Sequence, residues 1–339
     1  MTSKMETSPI ITGPRIALAV AILLLATLPA WMTQTYYVNV ASQIMIYAVF
    51  ALAINVLVGH AGLVSLGHAG LFGLASYACA IALAAHWGHL LSIVTALVVT
   101  IAGTALFAFL SLRATGIGFI MITLALGQIL WGLAYRWISL TNGDNGVNVS
   151  TRPMPLGISL TSAPSFYYMT LIVFGVSVVA MAIFANSPFG ASVRGTRDQP
   201  RRMNALGYHV WMIRFYACLL SGLMSGVAGI LFVYYNQFIS PQTLALTASA
   251  EGILMVISGG TGTLLGPIAG AALVVIMKNV VSAYVVRWNF TLGAIFVAIV
   301  IFMPEGFVPG TVRLWRNGWQ GWRKRRGAAV LPNVQEPGP

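Results

Sequence analysis

The stretch LLSIVTALVVTIAGTALFAFLS, residues 90–111, contains no charged side chain. A helix needs roughly 20 mostly apolar residues to cross a bilayer. Lipid offers the backbone no hydrogen-bond partner, so a single segment can cross only if it satisfies its own backbone as an α-helix. Residues 90–111 therefore predict a transmembrane helix, and similar stretches recur along the chain.

The whole composition agrees with a membrane protein. Hydrophobic residues make up 58% of the 339 residues and charged residues only 7%, whereas a soluble domain carries about a quarter charged residues. The apolar runs predict an all-α, polytopic transmembrane helix bundle of about ten spans. The predicted spans lie near residues 16–33, 40–58, 62–85, 90–111, 117–138, 166–185, 213–235, 246–258, 264–284 and 289–303. Because 246–258 is short and precedes the glycine-rich 258–263, a broken or re-entrant helix is the alternative there.

The positions of the Lys and Arg residues explain the net charge of +12 as charge that orients the helices in a membrane. With the N-terminus inside, most of them fall in cytoplasmic segments, and Arg136, Arg152 and Arg287 fall outside. This bias orients helices in membranes, so it predicts an even span count, cytoplasmic termini and no nucleic-acid partner. The predicted parts are a cytoplasmic N-terminus (1–15), a transmembrane domain (16–310) with an external loop (139–165) and a cytoplasmic loop (186–212), and a basic cytoplasmic tail (311–339) expected to be disordered.

A glycine-rich segment, GHAGLVSLGHAG at residues 59–70, places Ser65 and His68 at predicted membrane depth. Its glycines predict a helix start or break, and free amide groups there would suit a carboxylate in a cavity. The alternative is close helix packing, with the histidines hydrogen-bonded to neighbours. His60 and His68 have no further ligand nearby in sequence, so no metal site is expected.

Polar residues inside other spans extend this hypothesis. A carboxylate well inside a span, such as Glu251, is costly enough to mark a functional candidate, although it could equally be a structural acceptor. Thr123, Gln128 and Ser258 are weaker candidates, because isolated polar residues commonly bond across helices. The predicted translocation path is Ser65, His68, Thr123, Gln128, Glu251 and Ser258.

ATP chemistry is not expected in this chain. A nucleotide-binding P-loop ends in Gly-Lys followed by Ser or Thr, and none of the lysines, Lys4, Lys278 and Lys324, follows a glycine. The cytoplasmic loop 186–212 instead opens with Ser187-Pro188 and continues as a short basic helix. Any ATP hydrolysis therefore belongs to a partner.

Four stretches, in the same order, resemble the branched-chain amino-acid ABC transporter permeases of the LivM type. They are LVSLGHA (63–69); FIMITLA (119–125) leading to LTNG (140–143); SPFG (187–190) with RD (197–198) and ALG (205–207); and EG (251–252) with GGTGTLLGP (259–267). The resemblance covers residues 40–310, and the last two stretches are the most distinctive.

The resemblance implies a permease subunit of an importer in the bacterial inner membrane, with no enzymatic activity and no cofactor of its own. Its implied partners are a second homologous permease, two cytoplasmic ATPase subunits that bind ATP and Mg²⁺, an extracytoplasmic solute-binding protein and membrane lipid. ATPase coupling is implied for Arg194, Arg197, Asp198, Arg201, Arg202, Ala205, Leu206 and Gly207. The family usually carries acidic residues before Ala-Leu-Gly, whereas this chain has RRMN at 201–204, so the docking contacts are expected to differ. A solvated basic loop is the alternative.

The implied solutes are branched-chain amino acids or related small polar molecules, with urea, amides or organic acids as alternatives within the family. The rival of another class is an ion-coupled secondary transporter, which would be expected to use membrane-embedded carboxylates such as Glu251. An intramembrane enzyme using Ser65 and His68 is disfavoured, because no Gly-x-Ser-x-Gly elbow surrounds Ser65.

Overall fold

The computed structural model describes residues 34–149 and 162–284, together with residues 27–29, 31, 290, 293, 294, 297, 301 and 306. Most of these residues are helical. The predicted spans 16–33 and 289–303 lie largely outside the described residues, and so do the predicted N-terminal segment 1–15 and tail 311–339.

The described elements form a helical bundle with one two-stranded sheet. The helices are α1 (Thr35–Asn55), α2 (His68–Ala84), α3 (His89–Ser111), α4 (Ile117–Arg136), α5 (Ile138–Thr141), α6 (Ala163–Asn186), α7 (Pro188–Asp198), α8 (Pro200–Ala205), α9 (Val210–Asn236), α10 (Leu246–Gly259) and α11 (Leu265–Tyr284). A π-helical turn, Val56–Ala61, continues α1, and short 3-10 turns occupy Gly143–Asn145 and Pro241–Leu244. Strands β1 (Val147–Asn148) and β2 (Phe238–Ile239) pair antiparallel.

Six segments of the described chain are long and apolar enough to cross a membrane. They are Thr35–Ala61, His89–Ser111, Ile117–Arg136, Ala163–Asn186, Val210–Asn236 and Leu265–Ser282. Each matches a predicted span. The predicted span 62–85 needs correction, since its helix begins only at His68, after an irregular segment. Helices α2 and α10 are shorter than the six, so the predicted count of ten full crossings is not established by the described residues.

The distribution of burial separates inner from outer helices. In the most apolar window of each segment, 83% of Thr35–Ala61 is buried but only 22% of Ile117–Arg136. Outer helices expose large apolar side chains, for example Ile129 on α4 and Ile172 and Ile183 on α6. Because water would not solvate such continuous apolar faces, lipid must surround them. The chain is a multi-pass membrane protein.

Small residues allow the inner helices to approach closely. A side chain at Gly222 or Gly226 of α9 would overlap Thr104 or Thr100 of α3. A side chain at Gly270 of α11 would overlap the backbone of α10 at Met255. Close backbone contact of this kind is how helices associate in lipid, and it fixes α10 and α11 as a tight hairpin.

The bundle has two distinct ends. One end, called here the α7 end, is defined by α7, α8, the π-helical turn and the turn 260–264, and the opposite end by residues 85–88, 137–149 and 237–245. At the α7 end, Arg197 Nη1 of α7 donates to the Gly59 carbonyl of the π-helical turn at 2.6 Å. At the opposite end, β1 and β2 pair. Loops predicted to share a side of the membrane therefore meet at one end.

Candidate functional site

A cavity of about 650 Å³ lies between helices α1, α2, α9, α10 and α11, and is called here the Glu251 cavity. Its walls combine aromatic and polar side chains. Among the lining residues are Tyr47, Phe50, Phe72, Phe232, Thr243, Thr247, Glu251 and Lys278. The volume falls within the range of small-molecule sites in proteins, about 300 to 1,000 Å³. Of the predicted path residues, the structure places Glu251 in this cavity.

The charged wall of the cavity is an ion pair. Lys278 Nζ of α11 lies 3.2 Å from Glu251 Oε2 and 3.3 Å from Glu251 Oε1 of α10. The side chains are partly accessible, at 34% for Lys278 and 21% for Glu251. Pairing removes most of the cost of placing either charge among transmembrane helices. Sequence reasoning did not predict Lys278 as a site residue, because its distance in sequence from Glu251 gave no sign of a contact.

The apolar wall is a chain of aromatic rings. The ring centroids of Phe50 and Phe72 are 4.9 Å apart, those of Phe72 and Phe232 are 5.2 Å apart, and Tyr47 lies 6.3 Å from Phe232. Tilted and edge-to-face contacts at these distances are favourable. The cavity thus presents a cation, an anion and an apolar surface to whatever occupies it.

The predicted residues Ser65, His68 and Thr123 form a second polar group with Ser221, called here the His68 cluster; all four are buried. His68 Nε2 lies 2.8 Å from Ser221 Oγ, and Ser221 Oγ donates to the Ala53 carbonyl at 2.6 Å. The single serine proton goes to that carbonyl, so the Nε2–H of His68 is the donor to Ser221. The imidazole therefore fastens α2 to α9, and through Ser221 to α1.

Amide groups of the irregular segment 62–67 and the start of α2 are largely taken by protein acceptors. Leu66 N donates to Thr123 Oγ1 at 3.3 Å, Gly67 N to Ser65 Oγ at 3.4 Å and Ala69 N to Ser249 Oγ at 3.0 Å. The space next to the cluster is only about 20 Å³, which is room for one water. These observations favour the packing alternative over a carboxylate site.

The structure does not bring Gln128 and Ser258 into either group. Gln128 is half-buried on α4, away from the residues that line the Glu251 cavity. Ser258 Oγ donates back to the Met255 carbonyl of its own helix at 3.4 Å, a common arrangement for a buried serine in a helix.

The predicted basic helix of the loop 186–212 is present as two helices, α7 and α8. The Ser187 hydroxyl accepts from Gly190 N at 3.0 Å, and Pro188 takes the first helical position, a favourable helix start. Leu206 and the side chains of Arg201 and Arg202 are exposed. This end of the segment therefore exposes one large apolar side chain and two positive charges.

Two of the predicted coupling arginines instead make internal bonds. Arg194 Nη1 donates to the Ala185 carbonyl at 2.7 Å. Arg197 Nη1 donates to the Gly59 carbonyl at 2.6 Å, and Arg197 Nε pairs with Asp198 at 2.9 Å. These side chains hold α7 against the ends of α6 and α1, so a role in contacting a partner directly is not needed to explain them.

Comparisons with known proteins identify the family. A model of the family "Branched-chain amino acid transport system / permease component" matches residues 36–303. The high-affinity branched-chain amino acid transport system permease protein LivM of Salmonella typhimurium is 26% identical over 317 residues, covering 86% of this chain and 74% of the relative. LivM of Escherichia coli K12 is 26% identical over 318 residues, with the same coverage.

A relative that matches a shorter part of the chain has a different named cargo. The autoinducer 2 import system permease protein LsrC of Salmonella paratyphi B is 31% identical over 160 residues, covering 44% of this chain and 46% of the relative. No solved structure matches the chain significantly. The family model and the LivM relatives confirm the resemblance inferred from the four sequence stretches. The chain therefore belongs to the branched-chain amino acid transport system permease family, the membrane-spanning components of ABC importers.

Proposed function

We propose that this chain is the permease subunit of an ABC importer of the bacterial inner membrane, and that it passes branched-chain amino acids or related small polar solutes through the Glu251 cavity. The proposed partners are a second homologous permease, two cytoplasmic ATPase subunits that bind ATP and Mg²⁺, and an extracytoplasmic solute-binding protein. The chain itself acts by alternating access and performs no chemistry.

The Glu251 cavity is the observation that carries this proposal. A branched-chain amino acid has an ammonium group, a carboxylate and an apolar side chain. The cavity presents a carboxylate from Glu251, an ammonium from Lys278 and the aromatic wall. When such a solute binds, its ammonium can pair with Glu251 and its carboxylate with Lys278. Two ion pairs then replace the Glu251–Lys278 pair, and no charge is left unpaired in a low-dielectric region. Urea and simple amides offer no such exchange, which supports the amino-acid alternative within the family.

The proposed energy source follows from the loop 186–212, which contains α7 and α8. The sequence contains no P-loop, and the bundle carries exposed residues of α7, α8 and the following turn at one end. An ATPase that moves on nucleotide binding would transmit that movement through this segment. The positive charge of the segment supports placing it on the cytoplasmic side.

Reconstitution tests the proposal. The chain is placed in proteoliposomes together with the proposed second permease, ATPase subunits and solute-binding protein, and labelled leucine uptake is measured with ATP. We expect uptake that requires ATP and the binding protein, and that unlabelled isoleucine and valine compete more strongly than urea or acetamide. Uptake by the chain alone under an ion gradient would instead establish the secondary-transporter alternative.

A further inference from the structure

Helices α10 and α11 carry the ion pair of the Glu251 cavity, and the turn between them is held by Asn55 at the end of α1. Asn55 Oδ1 accepts from Gly262 N at 2.9 Å, and Asn55 Nδ2 donates to the Thr263 carbonyl at 2.9 Å. The asparagine is fully buried. Its one amide satisfies a donor and an acceptor on neighbouring residues of the turn, so it fixes both the position and the orientation of the hairpin.

The π-helical turn beside Asn55 leaves a backbone acceptor available. In a continuous α-helix, the Gly59 carbonyl would accept from residue 63. Here Leu63 N donates to the Leu57 carbonyl at 2.9 Å. The Gly59 carbonyl instead accepts from Arg197 Nη1 of α7 at 2.6 Å. Helix α7 is thereby bonded to the same turn of chain that holds the hairpin.

The parts of this arrangement are in direct contact. A side chain at Gly59 would overlap Asn55 Oδ1 and the backbone of Gly262, and one at Gly62 would overlap the Arg197 side chain. Gly62 also has a φ of +67°, which favours glycine. The backbone at Gly59 is thus in close contact with the turn, and the backbone at Gly62 with the Arg197 side chain, so movement of α7 is expected to displace both.

We propose that Asn55 and Arg197 are positioning residues that pass the movement of α7 to the α10–α11 hairpin, and so to the Glu251 cavity. The inference rests on the proposed function, since it needs an ATPase to move α7. It assigns to Arg197 an internal role in place of a docking contact. Asn55, buried within the bundle, cannot touch an ATPase at all.

The central test is Asn55→Leu, which keeps a similar volume and removes both bonds to the turn. In the reconstituted importer we expect unchanged assembly and ATP hydrolysis, while leucine taken up per ATP hydrolysed falls about tenfold, a typical coupling between sites. Asn279→Leu is the matched control. Asn279 Nδ2 also links α11 to α1, through Gln43 Oε1 at 3.2 Å, but not at the turn, and its loss should leave the ratio near that of the original protein.

A double-mutant cycle separates an internal link from a docking contact. Arg197→Gln should lower uptake per ATP as Asn55→Leu does, and the double variant should be no worse than either single one, since both break the same connection. Arg136→Gln, at an exposed residue of α4 near the opposite end of the bundle, is the control and should leave uptake per ATP unchanged. Additive losses in the double variant would show that Arg197 acts elsewhere, and would overturn the inference.

If Asn55→Leu fails to assemble, Gly262→Ala provides the test. Gly262 has a φ of +75°, so alanine strains the backbone of the turn. The added methyl carbon would lie 3.4 Å from the Gly59 oxygen, an ordinary contact, so the substitution causes no overlap. Gly116→Ala also places a methyl group at a positive φ, +60°, and no atom lies within 4 Å of it. Uptake per ATP should fall for Gly262→Ala and not for Gly116→Ala; equal ratios overturn the inference. Absence of ATP-driven uptake in the original protein would instead overturn the proposed function.

Discussion

The Glu251 cavity and the His68 cluster are both polar regions among apolar helices, but they differ in space. About 650 Å³ is open beside Glu251, and about 20 Å³ beside His68. The hydrogen bonds of the His68 cluster join neighbouring helices. The polar atoms of the Glu251 cavity instead face a volume that a small solute can fill. Depth in the membrane is therefore common to both regions, and the space around the polar groups is what distinguishes them.

The largest expected effect is that of removing the negative charge from the cavity. Glu251→Ala leaves Lys278 without its carboxylate partner, and we expect leucine uptake to fall about a hundredfold, near the upper range for losing a charged hydrogen bond. Uptake in proteoliposomes, corrected for assembled complex, measures the effect.

The exchange of charges, Glu251→Lys with Lys278→Glu, is the control for this prediction. It keeps an ion pair between α10 and α11, so assembly should recover, but it reverses the order of the charges along the cavity and uptake should stay low. Full uptake by the exchanged pair would show that the two residues only hold the helices together.

Filling the cavity is expected to have the next largest effect. Ala248 lines the Glu251 cavity, and Ala248→Leu should raise the leucine concentration for half-maximal uptake about tenfold, because the added carbons occupy space otherwise available to the solute side chain. Ala125→Leu, on an exposed position of α4, is the matched control. Equal affinity in both variants would place the solute outside the cavity.

A change in the His68 cluster should alter stability and leave transport intact. Ser221→Ala removes the link from His68 to the Ala53 carbonyl, and we expect a loss of about 1 to 2 kcal/mol in the free energy of unfolding, as for other interhelical hydrogen bonds in membranes. Denaturation in mixed micelles gives this value. Reduced uptake per folded transporter would instead put the cluster on the path.

The smallest effect is expected for Gln128→Leu. Its half-buried side chain lies outside both polar regions, so the free energy of unfolding should change by no more than about 0.5 kcal/mol, and uptake should be unchanged. A clear loss of uptake would restore Gln128 to the predicted translocation path.

The apolar helices were predictable because their signal is local. Residues 90–111 contain everything needed to recognise α3, and Ser187-Pro188 marks the start of α7 through its capping geometry. The break at 62–67 was also signalled by glycines. Its consequence, that the helix begins only at His68, depends on hydrogen bonds from Thr123 and Ser249, which belong to distant parts of the chain.

The candidate site was less predictable because its contacts are distant in sequence. Glu251 stood out as a carboxylate within a span, but its partner Lys278 did not, and Asn55 was not among the predicted site residues. The bonds of Asn55 join residues 55 and 262–263, for which no sequence periodicity exists. Likewise, the basic character of α7 was visible, whereas the bond from Arg197 to the Gly59 carbonyl required the fold.

The π-helical turn Val56–Ala61 has a consequence for comparing relatives. Widening one turn is equivalent to inserting a residue, since each residue of an α-helix rotates the chain by about 100°. A homologue lacking that extra residue would show a one-position gap near 56–61, and its following segment would face a different direction. In such a homologue the carbonyl equivalent to that of Gly59 would be bonded within its own helix and could not accept from the α7 arginine. The proposed transmission of movement from α7 would then require a different contact.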